Sequence, residues 1–229
     1  MLNFFRFMLK RSFLNTSFIS KNIASARLLT IPKSALTRHS LSHTSSTMPK
    51  LVWVDLEMSG LNIKSKGDRI LEAACIITTM DLKEIESFGP VVIKQSTQLL
   101  DSMDDWCTNQ HGKTGLTEQV KNSTISEEKA GKDLLEFIKK HCPGIREGIL
   151  AGNSVGEDKR FILEYWPEIV DHLHYRIVDV SSIKSLVNSW YDKKRVDSVL
   201  PKKGLSHRAM DDIRESIEEL KCYKKEFFK

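Results

Sequence analysis

Residues 51–60 (LVWVDLEMSG) carry an alternation that suits an extended chain. In a strand, successive side chains leave opposite faces, so Asp55 and Glu57 share one side. Val52, Val54, Leu56 and Met58 share the other, which is the predicted core face. Two further runs have strand character, 70–79 (ILEAACIITT) and 84–94 (EIESFGPVVIK), with Met80-Asp81 in the turn between them. Three strands at such short spacing predict an antiparallel meander opening a sheet. A polar stretch, helical in part, leads to 126–142 (SEEKAGKDLLEFIKKHC), the clearest amphipathic helix. Ser126 sits at its N-cap, Glu127 and Glu128 in its first turn, and Lys139, Lys140 and His141 in its last. Pro143-Gly144 stops it. Then come a short apolar strand at 149–152, a helix over 156–166 ended by Pro167, a strand at 176–180 and a helix over 181–191. A charged loop over 192–204 precedes a long helix over 206–228, with Met210, Ile213, Ile217 and Leu220 on its apolar face. Strands first, then alternation with helices, predict an α/β domain whose mixed central sheet is flanked by helices.

Charge changes the picture along the chain. The 229 residues carry a formal +5, yet residues 1–50 hold eight Lys/Arg and no acid. The remainder has 27 basic residues against 30 acidic ones, a net of −3. A slightly acidic domain is poorly suited to gripping long nucleic acid, which takes many Lys/Arg–phosphate contacts. Residues 1–50 have the composition of a mitochondrial presequence, basic, Ser-rich and free of acids. As a helix, Leu2, Phe5, Leu9 and Phe13 would form one apolar stripe. Arg6, Lys10 and Arg11 interrupt any secretory signal or membrane span, so no membrane insertion is expected. Residues 42–50 (SHTSSTMPK) read as a polar linker, and 51–229 as the folded domain. Initiation at Met48 would give a cytosolic or nuclear form without the presequence. Cys75, Cys107, Cys142 and Cys222 lack zinc-site spacing and read as packing residues. His172 and His174 alternate like a strand-borne metal pair but have no matched carboxylate, and read as structural.

The decapeptide alone fits equally an edge strand with a solvated acidic face. Asp158, near the start of its helix, reads alone as an acid favoured by the helix dipole. Asp211 and Asp212 alone read as first-turn acids, and His207 as an exposed or capping residue. Taken together, Asp55, Glu57, Asp158 and Asp212 supply four carboxylates with His207 beside the last. Such a set meets the needs of two hard cations that activate water against a phosphodiester.

Four stretches in order, DLEMSG at 55–60, GNSVGEDKRF at 152–161, HYRIVDVS at 174–181 and HRAMDDIRES at 207–216, resemble the oligoribonuclease family. That family lies in the DEDDh branch of 3′-to-5′ exonucleases and has the ribonuclease H-like fold. The resemblance runs from about residue 51 to 228 and leaves 1–50 outside, in keeping with an organellar form located in the mitochondrial matrix. It implies that Asp55, Glu57, Asp158 and Asp212 hold two divalent ions, Mg2+ or Mn2+, with Asp55 bridging them. It implies His207 as general base, a task that suits a pKa near ~6.5. The choice of Asp212 over Asp211 comes from the family pattern, not from chemistry. The implied substrates are short RNAs, dinucleotides above all, cut to nucleoside 5′-monophosphates. Leu61 matches a wedge between bases, and Trp106 a stacking surface. Ser154, Tyr175 and Arg176 match holders of the 5′ phosphate, with His111 nearby. Some of these come from a second subunit in the family, so a homodimer is implied. A 3′-to-5′ DNA exonuclease with the same metal site, and an inactive exonuclease fold kept as a binding protein, remain the alternatives.

Overall fold

The computed structural model describes residues 48–201 and 208–228. The predicted presequence, most of the predicted linker and His207 lie outside the described residues. Five strands form the sheet: β1 (Lys50–Met58), β2 (Ile70–Thr79), β3 (Glu84–Val92), β4 (Gly148–Gly152) and β5 (Ile177–Asp179). Their spatial order is β3-β2-β1-β4-β5. β1, β2 and β3 pair antiparallel as the expected meander, whereas β4 lies parallel to β1 and β5 parallel to β4. The helices are α1 (Ile63–Lys66), α2 (Thr97–Asp101), α3 (Asp105–Lys113), α4 (Leu116–Asn122), α5 (Glu127–His141), α6 (Val155–Tyr165), α7 (Pro167–His172), α8 (Val180–Trp190), α9 (Lys193–Val199) and α10 (Ala209–Glu226).

β1 sits at the centre of the sheet and is covered on both faces, which corrects the expectation of a single core face. Val52, Val54 and Leu56, with Ala73, Cys75 and Ile77 of β2, pack under α5 and α6 through Leu134, Ile138, Phe161 and Ile162. On the opposite face Leu51 and Trp53 are as deeply buried, 2% and 0% exposed. There they meet Ile213, Ile217 and Leu220 of α10 and Val187 of α8. The Trp53 indole N–H, which could not be left unpaired at that depth, donates to the Thr78 hydroxyl at 2.9 Å. Asp55 and Glu57 continue the Leu51–Trp53 row, so one face of β1 turns from apolar to acidic along its length.

The capping logic of α5 holds: the Ser126 hydroxyl accepts from the Lys129 N–H. A mid-helix glycine, Gly131, has a packing reason, because any Cβ there would collide with the Trp166 indole. Pro167 ends α6 as expected but also opens α7 at its first position, where its missing N–H costs nothing. The predicted loop 192–204 is overturned for most of its length. α9 forms there because Asp192 caps it, accepting from the N–H groups of Lys194 and Arg195, and because Val196 is buried. The long C-terminal helix begins at Ala209 rather than at 206. Among the described residues no helix is long and apolar enough to cross a membrane.

Candidate active site

The acidic end of β1 meets the first turn of α10. Carboxylate oxygens of Asp55, Glu57 and Asp212 lie within 4.8 Å of one another, in partly buried positions. The topology explains the meeting. α10 runs against β1, its N-terminal residues reaching Glu72 near the start of β2 and its Lys224 reaching Asp81 just past the end of β2. Burial, followed by repulsion from Asp158, Glu57 and Asp212, holds the Asp55 carboxyl well above the usual carboxylate range. Burial, then Asp212 and Glu72, raises Glu57 likewise, and Arg208 pulls it back. Three hard oxygen donors converging under mutual repulsion fit a divalent cation, which would relieve all three at once.

Asp158 approaches β1 along its β4 side, at the Leu56 backbone. Its helix, α6, follows β4, whose ladder with β1 ends at Trp53↔Ala151. The Leu56 N–H therefore has no strand partner on that side, and the Asp158 carboxylate accepts from it at 2.9 Å. Burial pushes Asp158 up to about 7 against the lowering effect of that hydrogen bond. The three converging carboxylates thus do not include Asp158, although its charge is the largest electrostatic contribution acting on Asp55.

His111 behaves differently from the expectation of a residue beside the substrate phosphate. Its ring is 1% exposed, Nε2 lies 2.9 Å from the Met58 carbonyl, and Nδ1 stands 3.9 Å from Glu57 Oε2 without a hydrogen-bond partner. Burial lowers its pKa, and against a carbonyl acceptor Nε2–H donates to Met58. It buttresses the strand behind Glu57 and faces no open surface.

Leu61 stands on a tight loop. The buried Asp68 carboxylate accepts from the Ser59 hydroxyl at 2.9 Å and from the Asn62 N–H at 2.7 Å. A Cβ at Gly60 would collide with that carboxylate, so glycine is required there. Leu61 itself is partly buried against the core. Trp106, in the first turn of α3, is 43% exposed. Ser154 has left-handed backbone (φ 54°), and its hydroxyl pairs with Ser181 at 3.0 Å instead of capping α6. The Asp179 carboxylate accepts from both the Ser154 and the Ser181 N–H. Tyr175 is exposed, stacked on His174 at 4.5 Å, with the Arg176 guanidinium 5.3 Å from its ring. His172 is buried at the end of α7 with Nε2 2.7 Å from the Cys142 carbonyl, in keeping with a structural reading.

Residues 52–220 match the family model described as Exonuclease, RNase_T. The human mitochondrial oligoribonuclease is 48% identical over 186 residues, 80% of this chain and 76% of the human protein. The oligoribonuclease of Marinobacter nauticus is 47% identical over 182 residues, 79% of this chain and 97% of the bacterial protein. This chain belongs to the oligoribonuclease family. Among solved structures, E. coli exonuclease I with single-stranded DNA superposes with a TM-score of 0.56 at 16% identity. That match covers 78% of this chain and 41% of the exonuclease, and it shows the shared ribonuclease H-like exonuclease fold.

Two residues beside the candidate site of this oligoribonuclease-family chain escaped the sequence. Glu72, fully buried, lies directly across the β1–β2 ladder from Glu57 and so on the same face. Arg208 forks onto it, Nε to Oε1 at 3.1 Å and Nη2 to Oε2 at 2.6 Å. The signal was present in principle: an acid inside the apolar run ILEAAC needs a partner.

Proposed function

We propose that this oligoribonuclease-family chain is a divalent-metal-dependent 3′-to-5′ exoribonuclease that hydrolyses short RNAs, dinucleotides above all, to nucleoside 5′-monophosphates. The observation that carries the proposal is the convergence of Asp55, Glu57 and Asp212 within 4.8 Å. With Glu72 neutralised by Arg208, the carboxylates of Asp55, Glu57, Asp158 and Asp212 leave four negative charges, the charge that two divalent ions answer. Bound there, Mg2+ or Mn2+ would polarise the scissile phosphate and lower the pKa of a water. Asp55, which both Asp158 and Glu57 repel, would be the residue to help hold both ions. His207, five residues before Asp212, would take the proton from the attacking water as its oxygen bonds to phosphorus and the P–O3′ bond breaks. The O3′ oxygen takes a proton from solvent, and the upstream nucleotide leaves with a free 3′-hydroxyl.

Restriction to short substrates would come from Leu61 as a wedge, Trp106 as a stacking surface and Ser154, Tyr175 and Arg176 around a 5′ phosphate. His111 would act by holding β1 behind Glu57. The exposure of Tyr175 and Arg176, on the segment entering the edge strand β5, supports their completing the site of a second copy in a homodimer. Residues 1–50 would direct the chain to the mitochondrial matrix, with 51–229 as the exonuclease domain, and a Met48 start would give a form outside mitochondria.

The deciding experiment compares a ribodinucleotide with a deoxyribodinucleotide, each with Mg2+ and with chelator. Faster, chelator-sensitive turnover of the ribodinucleotide is expected. Faster turnover of the DNA form would sink the RNA assignment, and chelator-insensitive turnover would sink the metal.

A further inference from the structure

α10 carries Asp212 in its first turn, yet no side chain of its own caps it. The N-cap residue is Arg208, a type with no acceptor to offer, and it makes no side-chain bond to the helix. The acceptor comes from across the fold. Glu72 Oε1 on β2 takes the Ala209 N–H at 3.2 Å, while the same carboxylate receives both arms of the Arg208 fork. The guanidinium also reaches Gln119 Oε1 on α4 at 3.2 Å. The Arg208 carbonyl then accepts the N–H groups of Asp211 and Asp212, each at 3.0 Å. A carboxylate opposite Glu57 on β2 therefore fixes the residue that fixes Asp212. Placing an anion at the helix N-terminus also suits the helix dipole.

We propose that Glu72 and Arg208 are positioning residues, a clamp that docks the first turn of α10 on β2 and thereby sets the distance between Asp212 and the Asp55/Glu57 pair. The clamp rests on the metal-dependent reading above. Neither residue is asked to touch an ion or the substrate. Its job is the register of one ligand against two others, and outer partners of this kind are worth about 10–100-fold in metal affinity or activity.

The test uses the full chain, freed of metal and titrated calorimetrically with Mn2+ alone, alongside steady-state kinetics on a ribodinucleotide. Arg208→Ala is expected to weaken Mn2+ binding by about 10–100-fold and to lower kcat, with KM for the dinucleotide changed by less than about threefold. The paired variant Glu72→Met/Arg208→Met replaces a buried ion pair with apolar side chains, a change that commonly preserves folding. It is expected to melt near the wild type and still to bind Mn2+ weakly, because the Ala209 N–H has lost its acceptor. Tyr223→Phe, at the far end of α10, is expected to lower the melting temperature and leave Mn2+ binding unchanged. Wild-type Mn2+ affinity in Arg208→Ala, or its return in the double-methionine variant, would overturn the clamp alone. Absence of Mn2+ binding by the wild type would remove the metal reading and the clamp with it.

Discussion

Both halves of α10 pack apolar side chains on the sheet, but they differ in what is added to that packing. Its C-terminal half buries Ile217, Leu220 and Tyr223, Phe227 just past its end meets the Tyr191 ring edge-on at 4.7 Å, and the Tyr223 hydroxyl donates to the buried Glu219 at 2.7 Å. Its N-terminal turn also buries Ala209 and Met210, but adds charge drawn from β2 and presents Asp212 to two carboxylates it repels. The packed half can hold the helix in place while the charged half stays destabilised until a cation arrives. Stability and reactivity are thus assigned to opposite ends of a single helix, and also to opposite ends of one face of β1, where Leu51 and Trp53 give way to Asp55 and Glu57.

Substitutions at the two ends should therefore separate activity from stability. At the acidic end, Asp55→Asn is expected to lower ribodinucleotide turnover by at least about a hundredfold, several kcal/mol of transition-state stabilisation. The same variant should melt higher than the wild type in chelator, since a repelled buried charge is gone. A lower melting temperature together with full activity would invert the comparison. At the packed end, Ile217→Ala should cost about 2–5 kcal/mol of stability in a denaturant titration. KM for the dinucleotide and Mn2+ affinity, read well below its melting temperature, should hold.

The pH dependence of stability sharpens the contrast further. Asp55, Glu57 and Asp158 all have pKa values raised in the folded chain, Asp158 to about 7, with burial the leading cause. The native state therefore keeps protons that the unfolded chain releases near pH ~4. The contribution of these groups is complete below that pH and lost as pH climbs through the raised values. In chelator the melting temperature should fall between pH ~4 and ~7, on the order of 5–10 °C. Saturating Mg2+ should remove most of the fall, because the cation takes over from the protons. An unchanged slope with Mg2+ would place the cation elsewhere. The smallest effect belongs outside this helix. Trp106→Ala should weaken dinucleotide binding by roughly 1–3 kcal/mol. Its melting temperature should be little altered, as expected for a side chain 43% exposed.

Much of this was legible before any coordinates. The alternation in 51–60 located the central strand and its acidic pair, and Ser126 with its flanking charges marked α5 nearly to the residue. What stayed hidden depended on contacts distant in sequence. Glu72 lies 136 residues from Arg208, and nothing local distinguishes it from a misplaced acid in an apolar strand. α9 was hidden for the opposite reason. It is short, charged and buries only Val196, so it offers no apolar stripe, and the Asp192 cap was its sole signal. His111 shows the limit of reading a residue's type. The resemblance set it near the phosphate-holding residues, but α3 buries it with Cys107 and pairs it with the Met58 carbonyl of β1.

Anomalous diffraction from crystals soaked in Mn2+ tests the central claim most directly. The expected map has two peaks, roughly 3.5–4 Å apart, enclosed by Asp55, Glu57, Asp158 and Asp212. A map with no peak among these carboxylates, or with manganese bound only at other surface acids, would contradict it.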